Sequence, residues 1–212
     1  AVEDKHLLAL HGIRRDQRYT VWSYAPRPNP SELITFRGDY PDAAARYLEV
    51  IYQPLPEWGA EGRDTLMDVY FGSSGEFEVT ALESVYQTAL EVTSEAQSPY
   101  EAAALLETWF REAGGFVYDE QPPSPIGGTP ALVDFVNETK RGYCQHYAGA
   151  MALMLRLLGV PSRVAAGFSS GTYRSDSKEW VVKDTNAHTW VEVWFPQFGW
   201  IPFDPTPGRG EL

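Results

Sequence analysis

Cysteine is nearly absent from this sequence of 212 residues: Cys144 is its only one. An intramolecular disulfide is thereby excluded, and so is a zinc site built from several cysteines. A thiol redox couple would lack its resolving partner. Basic residues are scarce as well, 17 against 29 acidic ones, for a formal net charge of −12. Such a chain repels a polyanion at long range, which argues against nucleic acid as a partner; ordinary solubility accounts for the acidity. No apolar run approaches the ~20 residues a helix needs to cross a bilayer, and no secretory leader is visible. No D-x-D-x-D-G pattern offers a calcium loop, and neither a metal site nor a cofactor site is evident. Internal repeats are missing too. What is plentiful is apolar surface: 43% hydrophobic and 14% aromatic residues predict a packed globule rather than disorder. The length is ample for one core and marginal for two.

The chain begins at Ala1 rather than Met and reads as a processed or excised fragment. Residues 1–38 look like the end of a preceding β-rich region, with one strand over 18–24 and a Pro-rich linker over 25–30. Residues 39–212 are expected to form the main domain, with its core over 98–207. Within it, 42–51 reads as a short helix. Residues 53–75, rich in Pro, Gly and charge, read as an irregular insertion with an apolar patch at 66–71. Helices are expected over 79–94, where Leu82, Val85, Tyr86, Ala89 and Leu90 share a face, and over 100–113, with Ser98-Pro99 as cap and first-turn proline. Residues 116–118 form a short extended piece and 121–130 a loop. The strongest helical pattern spans 145–158, with Gly159 and Pro161 ending it. Beyond it the period changes to two, and strands are expected over 163–169, 180–183, 189–195 and 200–203. Short turns separate most of them, so the sheet should be antiparallel. Helices followed by strands give an α+β class.

Amide chemistry by a thiol needs a thiolate, a base beside it, a group that orients the base, and donors for the oxyanion. Cys144 stands at the start of the strongest helix, where the dipole and the unpaired amides favour the thiolate. A lone cysteine is more often a small buried hydrophobe, but a core cysteine need not sit at a helix mouth. Gly142 lets the chain turn into that helix. His188 heads an alternating run. Its even positions, His188, Trp190, Glu192 and Trp194, share one face, and Val191, Val193 and Phe195 lie on the better core face. An isolated histidine there would read as a surface residue. Asp204 closes the next strand, and Asp-Pro is also an ordinary turn. It reaches the His188 face only if paired positions sum to an even number, with Trp194 opposite Trp200 and Trp190 opposite Asp204. His146 is a rival base, yet i and i+2 point apart on a helix. His6 and His11 look incidental.

Three ordered blocks carry a resemblance: RGYCQHYA at 141–148 running on into MLRLLGVPSRV at 154–164, NAHTWVEV at 186–193, and GW at 199–200 followed by DPT at 204–206. Together they resemble the bacterial transglutaminase-like superfamily, in particular the membrane-anchored transglutaminase-like proteins of bacterial cell envelopes. The likeness is firm over about 100–207, faint at 39–48, and lapses across 53–75. The resemblance implies a papain-like core with the cysteine helix packed on an antiparallel sheet. It implies Cys144 as nucleophile, His188 as general base and acid, and Asp204 as orienter. It also implies a protein or peptide substrate, an extracytoplasmic location, and parent proteins with flanking membrane helices. The family's side-chain oxyanion donor lies upstream of the cysteine. Trp109 and Tyr118 are the candidates, though no motif fixes either and core packing is the better explanation of each.

Three readings stand open at this point. One is acyl transfer on protein or cell-envelope amides through a thioester. Another is a cysteine peptidase or amidase with the same triad. The third is a non-catalytic envelope module, which the intact triad disfavours.

Overall fold

The computed structural model describes residues 16–18, 20, 22, 26–38, 40–73, 77–125 and 127–208. The strand expected over 18–24 falls mostly outside these residues, as do His6 and His11. Short helical turns open the described part, α1 (Pro30–Leu33) and α2 (Asp42–Ala45), and α2 continues as a 3-10 turn to Leu48. The helix expected over 42–51 stops there. β1 (Glu49–Val50) pairs instead with β2 (Gln53–Pro54) in a tight antiparallel hairpin, whose turn residues Ile51 and Tyr52 take positive φ.

Residues 53–75 are less irregular than their composition suggests. α3 (Arg63–Ser73) occupies the second half, and its Met67, Tyr70 and Phe71 are buried at helical spacing. The apolar patch is therefore one face of a helix. α4 (Phe77–Val92) buries Val79, Leu82, Val85, Tyr86 and Ala89, while Leu90, expected on the same face, is exposed.

Ser98 caps α5 (Pro99–Thr108) as its sequence suggests. Glu101 N donates to Ser98 Oγ at 3.2 Å, and Pro99 fills the first turn, where its missing N–H costs nothing. The helix then widens into a π-turn, Trp109–Ala113, closed by Gly114 N donating to Trp109 O at 2.7 Å. β3 (Val117–Tyr118) lies parallel to β4 (Arg141–Gly142). Between them α6 (Ala131–Asp134), not foreseen from the sequence, also passes into a π-turn, Phe135–Thr139.

α7 (Cys144–Leu157) is the central element. Tyr147, Ala148, Ala150, Met151, Met154, Leu155 and Leu157 are all buried, so the helix is surrounded rather than laid on a surface. Each fully buried Met or Leu here contributes about 1.5–3 kcal/mol. Gly159 ends it with φ +83°, and Val160 N closes back on Leu155 O at 2.8 Å. After this turn come β5 (Ser162–Phe168), an exposed hairpin of β6 (Thr172–Arg174) and β7 (Glu179–Val181), then β8 (Ala187–Phe195) and β9 (Gly199–Phe203). The sheet runs β5-β8-β9, antiparallel throughout, with β8 central. Val191, Val193 and Phe195 are buried and the intervening Trp190, Glu192 and Trp194 are half-buried. That is the alternation expected of a sheet with one face against α7. The fold is the α+β class expected, a helix with cysteine at its N-terminus packed on an antiparallel sheet, with additional helices ahead of it.

The α7 turn is sterically sealed. A Cβ at Gly159 would lie 2.5 Å from Pro56 O and from Trp58 N, and Trp58 N donates to Gly159 O at 2.8 Å. Gly159→Ala combines a strained positive φ with that clash. Urea unfolding is expected to show a loss of about 2 kcal/mol or more.

Candidate active site

β8 and β9 pair Trp194 with Trp200 and Val191 with Phe203. The paired positions sum to an even number, and the register carries Trp190 opposite Asp204, one step beyond the last paired residues. Asp204 therefore stands on the His188 face, and the two meet. His188 Nε2 and Asp204 Oδ2 are 2.7 Å apart, with both side chains buried. A carboxylate there accepts a hydrogen bond, so in the neutral imidazole the proton sits on Nε2 and Nδ1 is left bare. Nδ1 is buried and has no hydrogen-bond partner. Asp204 Oδ1 accepts from Thr206 N at 3.0 Å. The Asp-Pro-Thr segment is thus a side-chain-closed turn as well as the histidine's partner, and the two explanations of Asp204 both hold.

Cys144 is the first residue of α7, half-buried and unpaired with any other cysteine. No hydrogen bond joins it to His188 among the described residues. Ser162 Oγ donates to Ala152 O at 2.9 Å, so β5 starts beside the middle of α7. From there β5 runs back ~16 Å to Gly167, which pairs with His188. α7 runs back ~12 Å from Ala152 to Cys144.

The helix mouth is built by close approach. Gly142 has no positive φ, so the tight turn expected of it is not its reason. A Cβ there would lie 2.7 Å from His146 Cβ and 2.9 Å from Phe135 Cε2. Only glycine lets these side chains press on the backbone ahead of Cys144. His146 Nδ1 accepts from Tyr143 N at 3.4 Å, and its ring meets Tyr143 edge-on. Burial pushes its pKa down, against a smaller upward pull from the Tyr143 backbone. His146 Nδ1 is thereby engaged at the start of α7. Arg141, upstream, is held by Asp119 Oδ2 at 2.9 Å.

The oxyanion candidates separate. Trp109, half-buried, packs against Phe110 and Phe116 at the edge of the core, with Lys140 Nζ 5.8 Å above its ring. Tyr118 lies opposite Gly142 in the β3–β4 pair, two residues from Cys144. It also neighbours Tyr147, whose hydroxyl is buried without a partner and whose pKa is pushed up to about 12 by burial, with a smaller contribution from Tyr118.

Glu107 and Arg111, which sequence reasoning missed, both reach Asp204. Glu107 Oε1 accepts from Asp204 N at 2.7 Å, and Arg111 Nη1 donates to Asp204 O at 3.0 Å. Burial raises the Glu107 pKa, while the Asp204 N–H and Arg111 pull it down. Nothing in the sequence signals these contacts, because they join positions more than ninety residues apart. Among the described residues no cluster of His, Cys, Asp and Glu could hold a metal ion.

Helices around a central cysteine-headed helix, packed on an antiparallel sheet that carries a buried His–Asp pair, define the transglutaminase-like kind of α+β core. Residues 86–205 match the family model of the transglutaminase-like superfamily, and the chain belongs to that family. It is 41% identical over 111 residues to a protein-glutamine gamma-glutamyltransferase of Pseudomonas aeruginosa, spanning 52% of this chain and 16% of that one. To the uncharacterized protein YebA of Bacillus subtilis it is 33% identical over 131 residues, spanning 59% of this chain and 18% of the relative. The chain thus spans less than a fifth of these relatives' lengths. A solved structure, the periplasmic domain of TgpA from Pseudomonas aeruginosa bound to ethylmercury, matches with a TM-score of 0.51 at 36% identity. The match covers 58% of this chain and 43% of that one. The family includes enzymes, as the name of the first relative states.

A Gly142→Ala substitution tests the close-packed mouth. It is expected to cost about 1–3 kcal/mol in denaturant unfolding, because overpacking must displace His146 or Phe135.

Proposed function

We propose that this domain catalyses cysteine-dependent acyl transfer on protein or peptide amides, with Cys144, His188 and Asp204 as its triad. The observation that carries the reading is the buried His188–Asp204 pair, which leaves His188 Nδ1 without a hydrogen-bond partner. Family membership supports the reaction class, and the name of the Pseudomonas relative supports a protein glutamine as acyl donor.

His188 Nδ1 takes the Cys144 proton, and the thiolate at the helix mouth attacks the carboxamide carbon. The carbonyl oxygen becomes an oxyanion. The backbone N–H of Cys144, which has no intrahelical partner, and the Tyr118 hydroxyl are its donors in this proposal. His188 returns the proton to the leaving amine, ammonia from a glutamine, and a thioester remains on Cys144. An incoming primary amine gives its proton to His188, attacks the thioester carbon and leaves as the new amide, restoring the thiol. Asp204 keeps the imidazole on one tautomer and steadies its protonated form. Water in the amine's place turns the same cycle into hydrolysis, the peptidase or amidase reading.

The match to a periplasmic domain supports an extracytoplasmic location. Among the described residues no helix is long and apolar enough to cross a membrane. The family resemblance suggests a parent protein with flanking membrane helices.

Iodoacetamide is expected to alkylate Cys144 at pH 6 much faster than a free thiol, and His188→Ala is expected to lose this advantage. Incubation with casein and a labelled primary amine separates the two outcomes. Amine incorporation without new chain termini supports transfer; new termini without incorporation support peptidase action. A Cys144→Ala variant should do neither.

A further inference from the structure

The β9 ladder ends at Phe203, and Pro205 follows Asp204. The sheet therefore leaves the peptide groups of Asp204 unfixed at the point where its carboxylate must be aimed. Both are taken up from outside the sheet. Asp204 N–H donates to Glu107 Oε1 at 2.7 Å, and its carbonyl accepts from Arg111 Nη1 at 3.0 Å. Glu107 stands in the last turn of α5 and Arg111 in the π-turn that continues it, so one helical stretch supplies an acceptor and a donor to one residue. π-turns inside helices recur at functional sites.

We infer that Glu107 and Arg111 are positioning residues, a backbone clamp that sets the Asp204 carboxylate against His188 Nε2. The clamp acts through Asp204 and touches no reacting atom. Its physical basis is the short reach of an aspartate side chain. With the peptide groups on both sides held, the 2.7 Å contact has one preferred geometry. With them loose, the carboxylate samples others and the imidazole loses its fixed tautomer. Glu107 contributes chiefly an acceptor oxygen, so its amide analogue should serve almost as well as the carboxylate. As a contribution to catalysis the inference rests on the triad proposed above; as a contribution to the His188–Asp204 geometry it does not.

The test is nuclear magnetic resonance of the 212-residue chain with 15N-labelled histidine, reading the His188 tautomer, alongside the pH profile of Cys144 alkylation by iodoacetamide. The unaltered chain is expected to hold neutral His188 with its proton on Nε2. Glu107→Ala and Arg111→Ala should each give a mixture of tautomers. Alkylation should slow about tenfold with an altered pH profile, the scale on which small misplacements of a catalytic group are felt. Glu107→Gln should regain the single tautomer and most of the rate. A helix that merely staples the sheet would lower stability but leave the tautomer and pH profile unchanged, and that result would overturn the clamp. Should Glu107→Ala fail to fold, Arg111→Lys keeps the charge and most of the stem but moves the donor off the carbonyl. A mixed tautomer is again expected, and an unchanged one overturns the inference. Slow alkylation of the unaltered chain, with a tautomer that the variants still disturb, would fault the catalytic reading of Cys144 and leave the clamp standing.

Discussion

A hydrogen bond between two buried side chains, one on β8 and one just past the end of β9, organises the candidate site: His188 Nε2 to Asp204 Oδ2 at 2.7 Å. Removing either partner would leave a polar group buried and unsatisfied, which costs about 1–3 kcal/mol. The pair also imposes a condition on the sheet. Side chains alternate faces along a strand, so a one-residue slip between β8 and β9 would send Asp204 to the opposite face. The observed register, with Trp194 against Trp200, satisfies that condition. The burial of Val191, Val193 and Phe195 against the helices resists a slip, since it would expose them.

Around this pair the chain connects Asp204 to the cysteine helix through a series of backbone contacts. Arg111 reaches Asp204 O from the first π-turn. Gly114 O, just past that turn, accepts from Lys140 Nζ at 2.8 Å. Lys140 follows the second π-turn in a left-handed conformation, and its carbonyl accepts from Val117 N at 2.9 Å. Gly142 O then accepts from Asp119 N at 2.7 Å, two residues before Cys144. Lys140 also lies 5.4 Å over the Phe116 ring. The aromatic group of Trp109, Phe110, Phe116, Phe135 and Tyr147 fills the space between the two π-turns and α7. The position of Cys144 thus depends on packing from several directions, not on its helix alone.

Features set by local spacing were legible in the sequence. The 145–158 pattern was one residue off at each end from the helix observed, because Gly159 and Pro161 permit no continuation. Ser98-Pro99 predicted its cap, and the parity of the β8–β9 register followed from asking which face Asp204 must share. Features set by distant contacts were not legible. α3 was hidden because Gly59, Gly62 and the prolines before it dominate the composition of 53–75, although Met67, Tyr70 and Phe71 already carried the helical spacing. α6 is only one turn long before it widens. Gly142 was read as a conformational glycine, whereas its need comes from Phe135 and His146, which only the folded chain brings against it. Glu107 and Arg111 carried no signal beyond an ordinary pair of charges four residues apart on a helix.

The central claim is that Cys144 forms a covalent acyl intermediate under the control of His188. Rapid-quench mass spectrometry of the protein mixed with a chromogenic acyl ester tests it most directly. The account predicts an acyl adduct on the tryptic peptide that contains Cys144, formed in a burst and nearly absent in a His188→Ala variant. An adduct on other residues, or an equal burst without His188, would contradict it.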